Sequence, residues 1–211
     1  MHFSEQVATG LLQINAIKLN PQVPFIWASG IQSPIYCDNR IAMSFPSFRE
    51  VIINGFMKRA SEIGEFDVIA GVATAGIPWG ILLSDRLHKP FIYVREKAKA
   101  HGRQNQIEGM FEKGQRVLVT EDLISTGGSS LKAVESLREA ECKVVGVVAI
   151  FSYGFQRATE LFAQHHCPFK TISDYDTLIE KAVKEGYVNK KDLKTLSEWK
   201  LSPETWGVNR V

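Results

Sequence analysis

Residues 117–130 read Val117-Leu118-Val119-Thr120-Glu121-Asp122-Leu123-Ile124-Ser125-Thr126-Gly127-Gly128-Ser129-Ser130, and Leu131, Val134 and Leu137 follow on a helical period. The order is buried strand, turn, helix. A turn of Ser, Thr and Gly residues lets bare N–H groups and hydroxyls close around a phosphate, and the positive end of the following helix dipole adds to the attraction. Glu121 and Asp122 would repel that phosphate. They are expected to face hydrogen-bond donors or positive charge, for which ribose hydroxyls and Mg²⁺ are natural candidates. The carboxyl end of a strand is where open α/β sheets bind ligands, and two adjacent acids at a buried strand's end need a partner. Two commoner phosphate motifs do not fit. GxxxxGK[ST] lacks its lysine here, and GxGxxG lacks its glycine spacing.

Outward from this stretch, three further runs have the same continuous apolar character: Val68–Val72, Phe91–Val94 and Lys143–Phe151. Continuous rather than alternating apolar runs imply strands buried on both faces, as in a parallel sheet covered by helices. Helices are predicted from 46 to 63, with Gly64 as stop, and from Gly76 to near His88, with Pro78 in the first turn. Another leads the chain on Phe3, Val7, Leu11 and Ile14 and is expected to end near Asn20-Pro21. Pro24 to Arg40 reads as two short strands joined by a turn. Arg95 to Gly109 is polar, basic and without apolar periodicity, so a long mobile loop or extended hairpin is expected there, of the kind often used as a lid. No repeat or linker divides the 211 residues, which read as one α/β domain spanning 1–211.

The 25 Lys+Arg and 23 Asp+Glu residues leave a formal charge of +2, too balanced for a nucleic-acid or anionic-membrane surface. No apolar run approaches the ~20 residues that span a bilayer, and no secretory signal is visible, so a cytoplasmic protein is expected. Cys37, Cys142 and Cys167 form no CxxC spacing, and His165-His166-Cys167 has no second ligand pair, so neither a disulfide framework nor a zinc site is expected.

The stretch at 117–130 resembles the phosphoribosyl pyrophosphate (PRPP) signature of the type I phosphoribosyltransferases. Two other segments narrow the resemblance to that family's bacterial orotate branch. One is Phe25-Ile26-Trp27-Ala28-Ser29-Gly30 with Ser33-Pro34-Ile35-Tyr36-Cys37-Asp38-Asn39-Arg40, similar to the branch's N-terminal hood. The other is Arg95-Glu96-Lys97-Ala98-Lys99-Ala100-His101-Gly102, similar to its catalytic loop. The resemblance covers roughly residues 1–160. It implies the type I phosphoribosyltransferase fold, a central parallel sheet flanked by helices, with a small hood of about residues 1–45 plus C-terminal elements. It also implies orotate and PRPP as substrates, orotidine 5′-monophosphate and pyrophosphate as products, and a place in pyrimidine (UMP) synthesis. Mg²⁺ would be the cofactor, bound mainly through PRPP rather than by protein ligands.

Carried over by the same resemblance, Glu121 and Asp122 would hold the ribose hydroxyls, and Leu123, Ile124, Ser125, Thr126, Gly127, Gly128 and Ser129 would wrap the 5′-phosphate. Arg95, Lys99 and His101 would meet the pyrophosphate, and Gly71–Gly76 resembles the family's pyrophosphate loop. Lys99, His101 and Asp122 would carry catalysis, while Ser125, Ser29 and Gly30 would contact orotate. The loop at 95–109 would act across a homodimer. Some orotate enzymes carry lysines where Ala28 and Ala75 stand, an arginine where Tyr153 stands, and a lysine at Glu96, where Lys97 is adjacent. Backbone N–H groups near Ser29-Gly30 are therefore expected to serve the orotate carboxylate. Two alternatives remain in view. A regulatory PRPP-binding protein should lack the lid bases, and a salvage transferase for purines or uracil should lack the hood.

Overall fold

The computed structural model describes residues 3–27, 30–96 and 106–207. At the centre are β5 (Val68–Val72), β6 (Phe91–Val94), β8 (Arg116–Ile124) and β9 (Lys143–Ser152), numbered in chain order with β1 (Ile17–Leu19), β2 (Phe25–Ile26), β3 (Gln32–Ser33), β4 (Ile35–Cys37) and β7 (Ile107–Glu108). A further strand, β10 (Phe169–Asp174), completes the main sheet in the order β10-β9-β8-β5-β6-β7, parallel except where β7 returns beside β6. All five residues of β5 are buried, as a continuous apolar run requires. The chain direction across the sheet reverses between β5 and β8. Their carboxyl ends therefore open a crevice at the topological switch point.

Helices α1 (Phe3–Gln13), α2 (Pro46–Ile63), α3 (Gly76–Leu87), α6 (Tyr175–Lys184) and α7 (Leu193–Leu201) supply side chains to the apolar cluster on one side of the sheet. Helices α4 (Gly128–Glu139) and α5 (Gln156–Gln164) supply the other. The bounds of α2 and α3 follow their expected signals: Pro46 opens α2, Gly64 closes it, and α3 stops at a left-handed His88.

Four sequence readings change. The first helix ends at Gln13 rather than near Asn20, because Asn15 takes a left-handed φ of 56° and Ile17 then pairs with Cys37 of β4. The hood is accordingly two small ladders, β1 with β4 and β2 with β3, rather than one hairpin. Strand β8 does not end at the acids but continues to Ile124, because β9 pairs with it in parallel as far as Ile124↔Ser152. The acids lie within its last residues. Finally, β10 escapes the apolar-run criterion because only Phe169 and Ile172 of its six residues are apolar at the sheet's edge, where only Ile172 and Ser173 are fully buried.

The C-terminal segment belongs to the core. Trp199 of α7 is wholly buried and meets Trp27 of the hood edge-on at 5.8 Å, with Tyr153, Phe155 and Tyr175 also around it. Truncating such a residue costs about 3–5 kcal/mol. The hood is thus fastened to the sheet by aromatic packing from both ends of the chain.

Candidate active site

Glu121 and Asp122 stand side by side at the exit of β8. Glu121 is 5% exposed; its carboxylate accepts from the Asp122 backbone N–H at 3.0 Å and, at 3.4 Å, from the Ser130 hydroxyl at the start of α4. No lysine or arginine among the described residues hydrogen-bonds to either carboxylate. Burial, reinforced by the neighbouring Asp122 charge, pushes the Glu121 carboxyl well above the usual range. Burial also raises Asp122, against opposing pulls led by the Glu121 carboxyl and including Arg40. Arg40 itself is held bidentately by Asp38 at 2.7 and 2.9 Å. Two acids held at a cost, with no described lysine or arginine bonded to them, are poised for donors that arrive with a ligand.

The turn that follows has the shape expected of a phosphate cradle. Gly127 caps α4 with φ 86° and no side-chain cap, so side chains leave the first N–H groups of the helix uncapped. Thr126, Gly128 and Ser129 are exposed, Ser125 and Leu123 half-buried, and Ile124 buried, so the polar members of the turn face outward and its apolar member anchors it. A Cβ at Gly127 would come 2.9 Å from the Phe162 ring, on top of the strained φ.

Across the switch point, residues 73–75 join β5 to α3. The Thr120 hydroxyl donates to the Gly76 carbonyl at 3.2 Å, and a Cβ at Gly76 would stand 2.3 Å from the Thr120 carbonyl oxygen. Only glycine permits that approach, which brings the Gly71–Gly76 loop against the residue preceding the acids. A cavity of about 470 Å³ lies beside it, lined among others by Val72, Ala73, Arg95, Gly128, Ser129 and Lys132. Arg95 therefore stands where the Gly71–Gly76 loop, the β6–β7 hairpin and the N-terminus of α4 converge. Its Nη1 lies 3.6 Å from Glu108, across the β6–β7 hairpin.

The hood reaches this site directly. Asn39, 1% exposed, donates from Nδ2 to the Asp122 carbonyl at 2.8 Å across 83 residues of sequence. Sequence reading passed over Asn39, although its place beside Asp38-Arg40 in the hood motif marked the neighbourhood. The Gly30 N–H already donates to the Trp27 carbonyl at 2.8 Å. Gly30 therefore contributes the turn's shape, and its N–H is occupied. Ser29, Lys99 and His101, with Ala28, Lys97 and Arg103, lie outside the described residues.

The described residues contain no group of three or more His, Cys, Asp or Glu side chains placed to hold a metal, and the cysteines are free thiols. The two carboxylates of Glu121 and Asp122 are hard oxygen donors. That set suits Mg²⁺, which retains waters and is usually shared between one or two carboxylates and substrate phosphates. No helix among the described residues is long and apolar enough to cross a membrane.

Comparison with known proteins accords with this geometry. A family model described as the phosphoribosyl transferase domain matches residues 49–188. The chain is 53% identical over 208 residues to the orotate phosphoribosyltransferase of Listeria monocytogenes serotype 4b, covering 98% of this chain and 100% of that one. It is 51% identical over 200 residues to the Bacillus subtilis enzyme of the same name, covering 94% and 93%. The likeness thus extends well beyond residue 160, into the C-terminal segment that the sequence motifs left out. Among solved structures, the orotate phosphoribosyltransferase of Aeropyrum pernix aligns at a TM-score of 0.76 with 30% identity, over 87% of this chain and 99% of that one.

Proposed function

This chain belongs to the orotate phosphoribosyltransferases of the phosphoribosyl transferase family, and we propose that it transfers the 5-phosphoribosyl group of PRPP to orotate, releasing pyrophosphate and yielding orotidine 5′-monophosphate for pyrimidine synthesis. The observation that carries the reading is the juxtaposition, on one strand–turn–helix, of a buried and a half-buried acid, neither hydrogen-bonded to a described lysine or arginine, with a helix N-terminus lacking a side-chain cap. A sugar flanked by phosphates satisfies both halves at once.

In this reading the 5′-phosphate lies on the N–H groups and hydroxyls of Leu123 to Ser129, and Glu121 and Asp122 accept hydrogen bonds from the ribose hydroxyls. Breaking the bond between C1 and pyrophosphate places positive charge on the sugar and negative charge on the leaving group. The Asp122 carboxylate faces the first, while Arg95, Lys99 and His101 stabilise the second. Orotate's ring nitrogen is the nucleophile, so no side chain need form a covalent intermediate. The 95–109 segment closes over the reacting sugar to exclude water and reopens for release, which suits its polar, glycine-containing sequence. Mg²⁺, carried in chiefly on PRPP, would neutralise phosphate charge. The protein acts as a homodimer, with the segment reaching into the partner's site, and works in the cytoplasm as one domain over 1–211.

Pyrophosphate release with PRPP, Mg²⁺ and a panel of orotate, uracil, hypoxanthine and adenine tests the proposal. Release with orotate alone is expected. Release with another base in preference would point to a salvage enzyme, and PRPP binding without release would point to a regulatory protein.

A further inference from the structure

We propose that Asn39 is a positioning residue for PRPP binding: its buried amide pins the main chain at Asp122 and makes the seat of the ribose acid depend on the hood. The inference rests on the reading of Asp122 as a ribose acid and adds a residue that this reading leaves without a role.

The acids of β8 stand on an overhang. The register of β5 with β8 ends at Gly71↔Thr120, whereas β9 runs on to Ile124↔Ser152. Residues 121–124 are therefore flanked by β9 and have lost β5. A strand end hydrogen-bonded on one flank fluctuates more easily than a strand inside the sheet. Asn39 reaches this overhang, donating from Nδ2 to the Asp122 carbonyl at 2.8 Å. That bond governs the direction in which the Asp122 side chain leaves the strand. An acceptor for fixed ribose hydroxyls has to be held within about 0.5 Å of its productive place.

The amide is used at both ends. A carbonyl can only accept, so the Asp122 contact belongs to Nδ2, and Oδ1 is left to accept from the Cys37 thiol at 3.3 Å. Burial and the nearby Asp122 and Asp38 carboxylates push the Cys37 thiol up, so it keeps the proton it donates. With Asn39 only 1% exposed, an amide here would be costly without those partners. Leucine, close to it in shape, would fill the space as well. What the amide adds is the tie between two segments distant in the chain.

Asn39 also stands at a junction. It opens the 3₁₀ helix Asn39–Ser44, which leads from β4 of the hood to Pro46 at the start of α2. Asp38 caps that helix by accepting from the Arg40 backbone N–H at 3.2 Å, and it holds the Arg40 guanidinium, whose charge in turn pulls against the rise at Asp122. Elsewhere the hood is held by Trp27 against Trp199 and by Gln22, which donates to Asp192 at 2.9 Å. Those contacts fix the hood to the C-terminal segment. Asn39 carries the hood's position to the acid.

The test is a double-mutant cycle, read by calorimetric titration of PRPP with Mg²⁺ into the wild type, Asn39→Leu, Asp122→Asn and the double variant. Asn39→Leu keeps the shape and removes the amide. It should weaken PRPP binding at least about fivefold when Asp122 is present. Once Asp122→Asn has removed the carboxylate that Asn39 positions, the same change should cost less than about twofold. A merely structural Asn39 would lower the melting temperature and have either no effect on PRPP or an equal effect in both backgrounds; either result overturns the proposal. If Asn39→Leu does not fold, Asn39→Ser, polar but too short to reach the Asp122 carbonyl, takes its place in the cycle with the same expectations. If Asp122→Asn binds PRPP as tightly as the wild type, the ribose reading falls and this inference with it; a weakened Asp122→Asn beside an indifferent Asn39→Leu removes this inference alone.

Discussion

Strand β8 begins and ends among acids, and the two ends treat them in opposite ways. At its start, Arg116 binds Asp67 through Nη2 at 2.7 Å and through its backbone N–H at 2.9 Å, and binds Glu65 at 2.7 Å. The Arg116 guanidinium holds the Asp67 carboxyl well below the usual carboxylate range. At its finish, Glu121 and Asp122 have no such partner among the described residues, and burial drives both upward. The residue chemistry is the same and the strand is the same. What differs is whether the fold supplies the counter-charge, and where it does not, the acids are available to a ligand.

The largest effect should follow from altering the turn at the finishing end. Gly127→Ala must hold a φ of 86° with a Cβ crowding Phe162, a strain of about 1–3 kcal/mol, while displacing the N–H groups assigned to the 5′-phosphate. Its KM for PRPP should rise tenfold or more, with a lowered melting temperature. A variant with normal PRPP kinetics would separate the turn from the site.

A smaller and purely structural effect is expected at the starting end. Arg116→Ala should lower the melting temperature by a few degrees and leave kcat/KM within about twofold. Because the folded-state pKa of Asp67 is depressed, the stability it contributes is present above its unfolded value near 4 and is lost as pH falls through the folded value. The melting gap between wild type and variant should therefore be widest near neutrality and close in acid. A pH-independent gap would show that the ion pair is not its source.

The smallest effect has the opposite sign. Glu121 has a raised folded-state pKa, so its ionisation opposes folding as pH rises from the ordinary carboxylate range toward the raised value. Glu121→Gln should melt slightly higher than the wild type at neutral pH without ligand, and the advantage should vanish below about pH 4. Melting curves across pH check this. A variant less stable at neutral pH would place Glu121 among the structural acids, with Asp67.

Much of this contrast was legible in the sequence, and the reason is local. The acids, the turn and the helix that completes them lie within 121–139, so strand, cradle and helix polarity could be read from neighbouring residues. The four apolar runs likewise announced a parallel sheet, because strands covered on both faces need no partner to show their character. What stayed hidden depends on contacts distant in the chain. The edge strand β10 carries only two apolar residues and depends on β9 for its place, Asn39 meets Asp122 across 83 positions, and Trp199 closes the aromatic cluster over Trp27 and Tyr153. Tyr153 looked in sequence like the loss of a cation; the fold surrounds it with the rings of Trp27, Phe151, Phe155 and Trp199.

The central claim is that the acids finishing β8 bind the sugar of PRPP. Calorimetric titration of PRPP with Mg²⁺ into the wild type and Asp122→Asn tests it most directly. The account predicts measurable binding to the wild type and at least about tenfold weaker binding to the variant, as expected when a charged acceptor of hydrogen bonds is neutralised. Equal dissociation constants would contradict it.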